Sequence, residues 1–230
     1  MNASRRYEFT AIRYTADGQV DSTFGAAGYA FTPSTECDVV HSALALADGR
    51  IVISGETYPC ASPSDRSGMV VRLTAAGQPD STFGTAGKAI VGPSPVQSAL
   101  ALSGERLLLL HSLGGGVGSS RITVLTPNGT EDPSSAPKTA VLALNGSRLL
   151  RQPDGRIVAF GTFSNQVGLV RLLDNLSLDA NFGSGGYANI SSSGLLQIIQ
   201  GAFQSDGRLV VAAGKYEASV FQFWVARIWM

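Results

Sequence analysis

Charge is scarce in this chain. Only 15% of its 230 residues are Asp, Glu, Lys or Arg, and 17 basic side chains balance 17 acidic ones. Lysine occurs at 88, 138 and 215 and nowhere else. With no basic stripe and no acidic run, the composition argues against electrostatic capture of nucleic acid and against a solvated charged tail. Histidine is as rare: His41 and His111 each sit alone in a strand-like stretch, so a zinc site or a His-based triad lacks its companions. Cys37 and Cys60 form no CxxC pair, and no GlyXaaSerXaaGly step is present. Gly114-Gly115-Gly116 with Gly118 lacks the GlyLys step of a phosphate loop and reads as a hairpin tip. No apolar run approaches the ~20 residues of a membrane-spanning helix. The N-terminal MetAsnAlaSerArgArgTyrGluPhe has basic residues but no apolar stretch after them, so a complete secretory signal is not expected there. That leaves a cytoplasmic protein or one read without its leader. No metal, no cofactor and no catalytic residue is expected.

What the chain has is repetition. AspGlyGlnValAspSerThrPheGlyAlaAlaGly at 17–28 returns as AlaGlyGlnProAspSerThrPheGlyThrAlaGly at 76–87, and in altered form at 174–186. A second phrase, AspGlyArg followed by an apolar run, recurs at 48–55, 154–161 and 206–214. A third is an apolar strand carrying Arg13, Arg72, Arg171 or Arg227, with Val124 where a further Arg is expected. Those anchors lie 59, 52, 47 and 56 residues apart. Constant order with variable spacing places the insertions in loops, and a period near fifty residues points to a propeller or an array.

Each unit breaks into four short strands, for the first unit 28–33, 39–46, 50–55 and 68–74. Apolar runs flanking an AspGly step predict a two-residue type I′ hairpin at Asp48-Gly49, Asp154-Gly155 and Asp206-Gly207. The equivalent Ser103-Gly104-Glu105 keeps one Gly. Strands apolar on both faces, such as 107–110, fit sheets stacked between sheets. The expectation is therefore an all-β, propeller-like array of four four-stranded antiparallel blades, near 24–74, 83–126, 133–173 and 182–228. One extra strand at 7–14, taken like 221–228 as an Arg-bearing fourth strand, makes an open or incomplete ring the expected form rather than a closed four-bladed one. A parallel β-helix is the rival, but it repeats over fewer residues and needs no hairpin in every unit.

The repeated residues have local work to do. Asp21, Asp80 and Asp179 suit Asx-turns, Phe24, Phe83 and Phe182 are apolar plugs, and the Gly after each Phe permits positive φ. A calcium loop using Asp17 and Asp21 falls short of the about six to eight oxygens that ion takes. The third unit loses its Arg and its PheGly together, which suggests that the two pack on each other, with the Arg donating to turn carbonyls. A ring of Arg lining a ligand site is the alternative.

ArgTyrThrAlaAspGlyGlnValAspSerThrPheGlyAlaAlaGly followed by AlaLeuAlaAspGlyArgIleValIleSerGly resembles the bacterial delta-60-type repeat, a propeller-like family of unknown function. The third unit departs from it, since 128–135 lacks PheGly. The resemblance implies a secreted or surface-associated bacterial protein and supplies no catalytic residue. Cys37 and Cys60 fall in loops at the same end of one blade, so a disulfide is the expectation and two unpaired thiols the alternative. The reading is a non-enzymatic binding or structural module for a protein or glycan. Its ligand face is formed by the turns bearing Asp17, Asp21, Asp48, Asp80, Asp154, Asp179 and Asp206. Self-association through an exposed sheet edge is a further expectation. The alternatives are a propeller-type glycan lyase or hydrolase, for which His41 and His111 are the only other acid/base candidates, and a fragment of a larger repeat protein.

Overall fold

Runs of Ile, Val and Leu between Gly-bearing turns favour strands that fit between two apolar layers. The computed structural model describes residues 8–113, 119–132, 134, 141–164, 166–190, 195–217 and 219–230. The 114–118 tip and most of the third unit's turn at 133–140 lie outside them. Among the described residues are seventeen strands and a single turn of 3-10 helix, Ser103–Glu105. The chain divides into two compact units, Met1–Leu109 with Val124–Asp132 and Leu110–Thr123 with Pro133–Met230.

In the first unit, β1 (Phe9–Ile12) pairs antiparallel with β2 (Tyr29–Thr32). A four-stranded sheet follows in chain order: β3 (Cys37–Ala45), β4 (Ile51–Tyr58), β5 (Ser67–Leu73) and β6 (Lys88–Ile90). The next sheet, β7 (Val96–Ala101), β8 (Leu107–Ser112), β9 (Ser120–Leu125) and β10 (Val141–Leu142), has β7 in the first unit and β10 in the second. The second unit holds β11 (Asn145–Arg151), β12 (Ile157–Phe163), β13 (Gln166–Leu172) and β14 (Tyr187–Ile190). It ends in a three-stranded sheet of β15 (Leu195–Phe203), β16 (Leu209–Glu217) and β17 (Val220–Ile228).

Within each unit, neighbouring sheets bury apolar faces against one another. In the first unit Phe9 and Ala30 pack on Ile53, Met69, Val71 and Leu73. The opposite face of the same β3–β6 sheet, with Val52 and Val70, packs on Val96, Ala99 and Leu107. In the second unit Val158, Phe160, Val167 and Leu169 pack on Leu209, Val211 and Ala213. Most of these side chains are fully buried, each Val, Leu, Ile, Met or Phe stabilising the fold by about 1.5–3 kcal/mol. The architecture is all-β and propeller-like.

Two sequence expectations are corrected. The first concerns phase. Strand 29–32 is not the first strand of the 24–74 blade, because it pairs with β1. The AspXaaXaaPheGly turn does not follow the last strand of a blade but is the hairpin between third and fourth strands: Asp80 N bonds to Arg72 O at 2.9 Å and Arg72 N to Gly87 O at 2.9 Å. The short link at 33–36 is the crossover instead. The complete sheets therefore span 37–90, 96–142 and 145–190, and the Arg-bearing strand is the third of its sheet rather than the fourth. β1 and β2 stand as a third and a fourth strand, and β15–β17 as a first, second and third.

The second correction concerns the AspGly turns. Leu46 N bonds to Arg50 O and Gly49 N to Leu46 O, at 2.8 and 3.0 Å, which encloses three loop residues. Only the Gly has positive φ, 84° at Gly49, 94° at Gly155 and 83° at Gly207. These are type I turns followed by a bulge at Gly, not type I′ turns. Asp supplies its carboxylate to the amide two residues on, as Asp48 Oδ1 does for Arg50 N at 3.0 Å, and so needs no positive φ itself.

Cys37, at the start of β3, is joined by a disulfide to Cys60, 23 residues on and just past β4. Closing a loop of that length in the unfolded chain stabilises the fold by about 3 kcal/mol. Replacing both cysteines with serine is expected to lower the urea-derived stability by that amount, and reductant should have no effect on the variant. A change below about 1 kcal/mol would show that the unfolded chain is not the state the bond constrains.

Candidate functional site

Within a sheet, the AspGly hairpin and the AspXaaXaaPheGly turn lie at the same end, and the repeated Asp and Arg side chains meet there. Arg72 shows how they are used. Its guanidinium lies 4.6 Å over the Phe83 ring. Nε donates to Asp80 Oδ2 at 2.7 Å, Nη2 to Thr82 Oγ1 at 2.9 Å, and Nη1 to the Pro127 carbonyl of the following repeat at 2.8 Å. Asp80 Oδ1 accepts from the amide and hydroxyl of Thr82, at 3.0 and 2.6 Å. Gly84 N donates to Asn128 O at 2.8 Å, a second bond to the same neighbouring turn.

The same clasp is built at Arg13, which stacks on Phe24 at 4.8 Å and donates to Asp21, Thr23 and the Ala75 carbonyl. Arg171 stacks on Phe182 at 4.4 Å and donates to Asp179 at 2.9 Å. Where Val124 replaces the Arg, the backbone bond from Asp132 N to Val124 O is kept, at 2.8 Å. The AspGlyArg arginines join in: Arg50 Nη1 lies 3.7 Å from Asp80 Oδ2, and Arg156 Nε 3.3 Å from Asp179 Oδ2. Burial pushes the Asp80 carboxyl up, but Thr82 and Arg72 together outweigh it and hold the pKa below the usual carboxylate value.

The other predicted Asp residues are held by their own turns. Asp17 accepts from the Thr15 hydroxyl, which lowers its pKa. Asp48 is held low chiefly by Arg50, which also binds Glu105 at 2.8 Å. Asp154 pairs with Arg156 at 2.5 Å and Asp206 with Arg208 at 3.0 Å. Among the described residues no three His, Cys, Asp or Glu side chains gather as a metal would require.

Between the β3–β4 and β7–β8 hairpins lies a cleft of about 220 Å³. Leu46, Leu102 and Leu107 give it an apolar floor, and Asp48, Glu105 and Arg106 a charged rim. A wider, shallower depression of about 630 Å³ runs along β6, past Lys88 and Ile90.

The two histidines part company. His111 is fully buried and its Nε2 lies 2.8 Å from Thr123 Oγ1, a core hydrogen bond. His41 is partly exposed, with Nε2 3.9 Å from Glu56 Oε1, which also accepts from Arg66 Nη1 at 2.6 Å. Glu56 is 2% exposed, and its Oε2 has no hydrogen-bond partner among the described residues. Sequence reasoning missed Glu56 and Arg66 because neither recurs in the other repeats. Their only advance signal was a carboxylate placed inside an otherwise apolar strand.

Comparison with known proteins follows the same lines. A β-propeller domain family of unknown function, DUF5122, matches residues 46–83 and 152–182, the segments carrying the first AspGlyArg hairpins and their clasps. No curated protein matches the sequence. A protein of unknown function from Dyadobacter fermentans is 13% identical, with TM-score 0.54 over 97% of this chain and 69% of that one. One from Bacteroides caccae is likewise 13% identical, with TM-score 0.51 over 97% of this chain and 73% of that one. An endo-arabinase from Bacteroides thetaiotaomicron is 13% identical, with TM-score 0.44 over 83% of this chain and 73% of that one, too distant a likeness to bear on chemistry. At these identities the likeness is one of fold. The chain is a propeller-like all-β protein containing two stretches of the DUF5122 pattern.

Proposed function

We propose that this protein is a non-catalytic binding module of the delta-60-repeat kind, working outside the bacterial cell and presenting its hairpin end to a glycan or a protein. The observation that carries the reading is the occupation of every repeated Asp by its own turn or by an Arg. Carboxylates held in this way brace a scaffold and are poorly placed to exchange protons with a substrate. The cleft between the first two hairpins is smaller than the about 300–1,000 Å³ of an enclosed small-molecule site. Its apolar floor and charged rim suit one sugar ring or one peptide side chain of a larger ligand. The Cys37–Cys60 bond supports an oxidising location.

Ala47 is exposed at the mouth of this cleft. Ala47→Arg should fill it without disturbing the core. On glycan and peptide arrays the wild type is expected to retain a defined ligand class, and Ala47→Arg to weaken that binding roughly tenfold or more. Binding unchanged in the variant, or absent from both arrays, would end the proposal.

One observation favours a second reading. The His41–Glu56–Arg66 group sets a buried carboxylate beside an imidazole and a guanidinium, the groups from which a glycan lyase or hydrolase reading would draw its acid or base. Polysaccharide turnover abolished by Glu56→Gln and His41→Ala together would select that reading over the first.

A further inference from the structure

The three-stranded sheet at the end of the second unit has an uncovered apolar face. Counting back from the repeated Arg, Val225 occupies the position of Val70 and Leu169, and Phe223 that of Val167. Val70, Leu169 and Val167 are at most 1% exposed, because the following sheet covers them. Val225 is 65% exposed, Phe223 87% and Phe221 58%. The face of the same sheet that meets the preceding sheet is buried in the ordinary way, with Leu209, Val211 and Trp224 packed on Val167 and Leu169.

The opposite deficiency occurs at β1. Ile12 sits one residue before its Arg, as Val71 and Val170 do. Those two are 0% exposed, Val71 packed among Phe9 and Ala30 of the sheet before it, whereas Ile12 is 43% exposed. One sheet thus lacks a follower and another lacks a predecessor.

The repeated Arg adds a polar register to this match. Arg13 donates to the carbonyl of Ala75, three residues beyond Arg72. Arg72 donates to that of Pro127, three residues beyond Val124. Arg227 is exposed and has no partner among the described residues. By the same count its acceptor is the carbonyl three residues beyond Arg13, at the exposed Ala16.

We propose that the β15–β17 face of one copy docks on the β1–β2 sheet of a second copy, burying Phe221, Phe223 and Val225 against Ile12 and seating Arg227 on the Ala16 carbonyl. The contact extends the sheet-on-sheet packing that already holds each unit together. It is heterologous, so copies join head to tail, closing into a ring or growing as an open array. It uses the face of β17 and leaves free the edge of that strand, with which no further strand pairs among the described residues.

Sedimentation velocity across a concentration series, with Phe223→Asp and Ile12→Asp, tests this. Both residues are exposed in a single copy, so circular dichroism and melting of each variant should match the wild type. The wild type is expected to associate, and each variant alone to remain monomeric, its contact weakened by roughly 10- to 100-fold or more. Mixing the two variants should give a one-to-one dimer, since Ile12→Asp keeps an intact β17 face and Phe223→Asp an intact β1 face. A wild type monomeric throughout would overturn the proposal. So would association by Ile12→Asp alone, which would mean that β17 faces pair with each other. A mixture that stays monomeric would overturn it as well.

Discussion

Replacing Arg72 with alanine is expected to cost about 3–5 kcal/mol of folding stability. The size follows from what is left behind. Arg72 and Asp80 have side chains only 3% and 9% exposed, so Asp80 would remain buried as an anion with Arg50 at 3.7 Å as its nearest cation. The Pro127 carbonyl would lose its donor, and the Phe83 ring the cation above it. Arg13 provides the internal comparison. It makes the same contacts, but its side chain is 37% exposed and that of Asp21 21%, so water replaces much of what is lost. Arg13→Ala should cost about 1 kcal/mol.

The pH dependence separates the charge from the packing. Asp80 has a depressed pKa in the folded protein, so its contribution is present above the unfolded value and is lost as pH falls through that range. In Arg72→Ala the carboxyl is left buried with a weaker partner, its pKa rises, and protonation at low pH relieves the penalty. The gap between variant and wild type should therefore narrow from neutral pH to about pH 4, as urea titrations at both would show. A gap constant with pH would mean that Arg72 acts by volume alone.

Much of this clasp could be read in the residues, and the reason is periodicity. Three copies of AspXaaXaaPheGly, with one unit losing Arg and PheGly together, make the contact between guanidinium and ring a reasonable inference before any coordinates. Donation by the Arg to turn carbonyls was expected, but not that those carbonyls, at Ala75 and Pro127, belong to the following repeat, because a carbonyl belongs to every residue type and marks no position. The phase of the sheets was hidden for a related reason. Strand patterns mark where strands lie, but hydrogen bonds decide whether a link closes a hairpin or crosses to the next sheet. Here the link of four residues crosses, while the stretch of fourteen between β5 and β6 folds back on itself. Glu56 and Arg66 were invisible to repeat logic because a feature present once has no second copy to mark it out.

Glycine shows the same separation between a residue's identity and the reason for it, and yields the second large effect. Gly18 and Gly84 both have positive φ, 83° and 55°. A Cβ on Gly18 would meet nothing within 4 Å, whereas on Gly84 it would fall 1.9 Å from the Lys88 carbonyl oxygen and 2.5 Å from its carbon. That carbonyl accepts from Thr85 N at 2.8 Å and begins β6, so it cannot withdraw without opening the turn and the strand behind it. Leu176 holds a φ of 63° at the position of Gly18 and Gly77 in its own repeat, so left-handed backbone alone is tolerated there. Gly18→Ala should then cost about 1 kcal/mol, the strain of the backbone. Gly84→Ala adds a collision with main chain and should cost about 4 kcal/mol or more. Urea titrations of the two variants side by side check this. Equal losses would mean that φ, rather than the approach of the Lys88 carbonyl, is what places glycine after the repeated Phe.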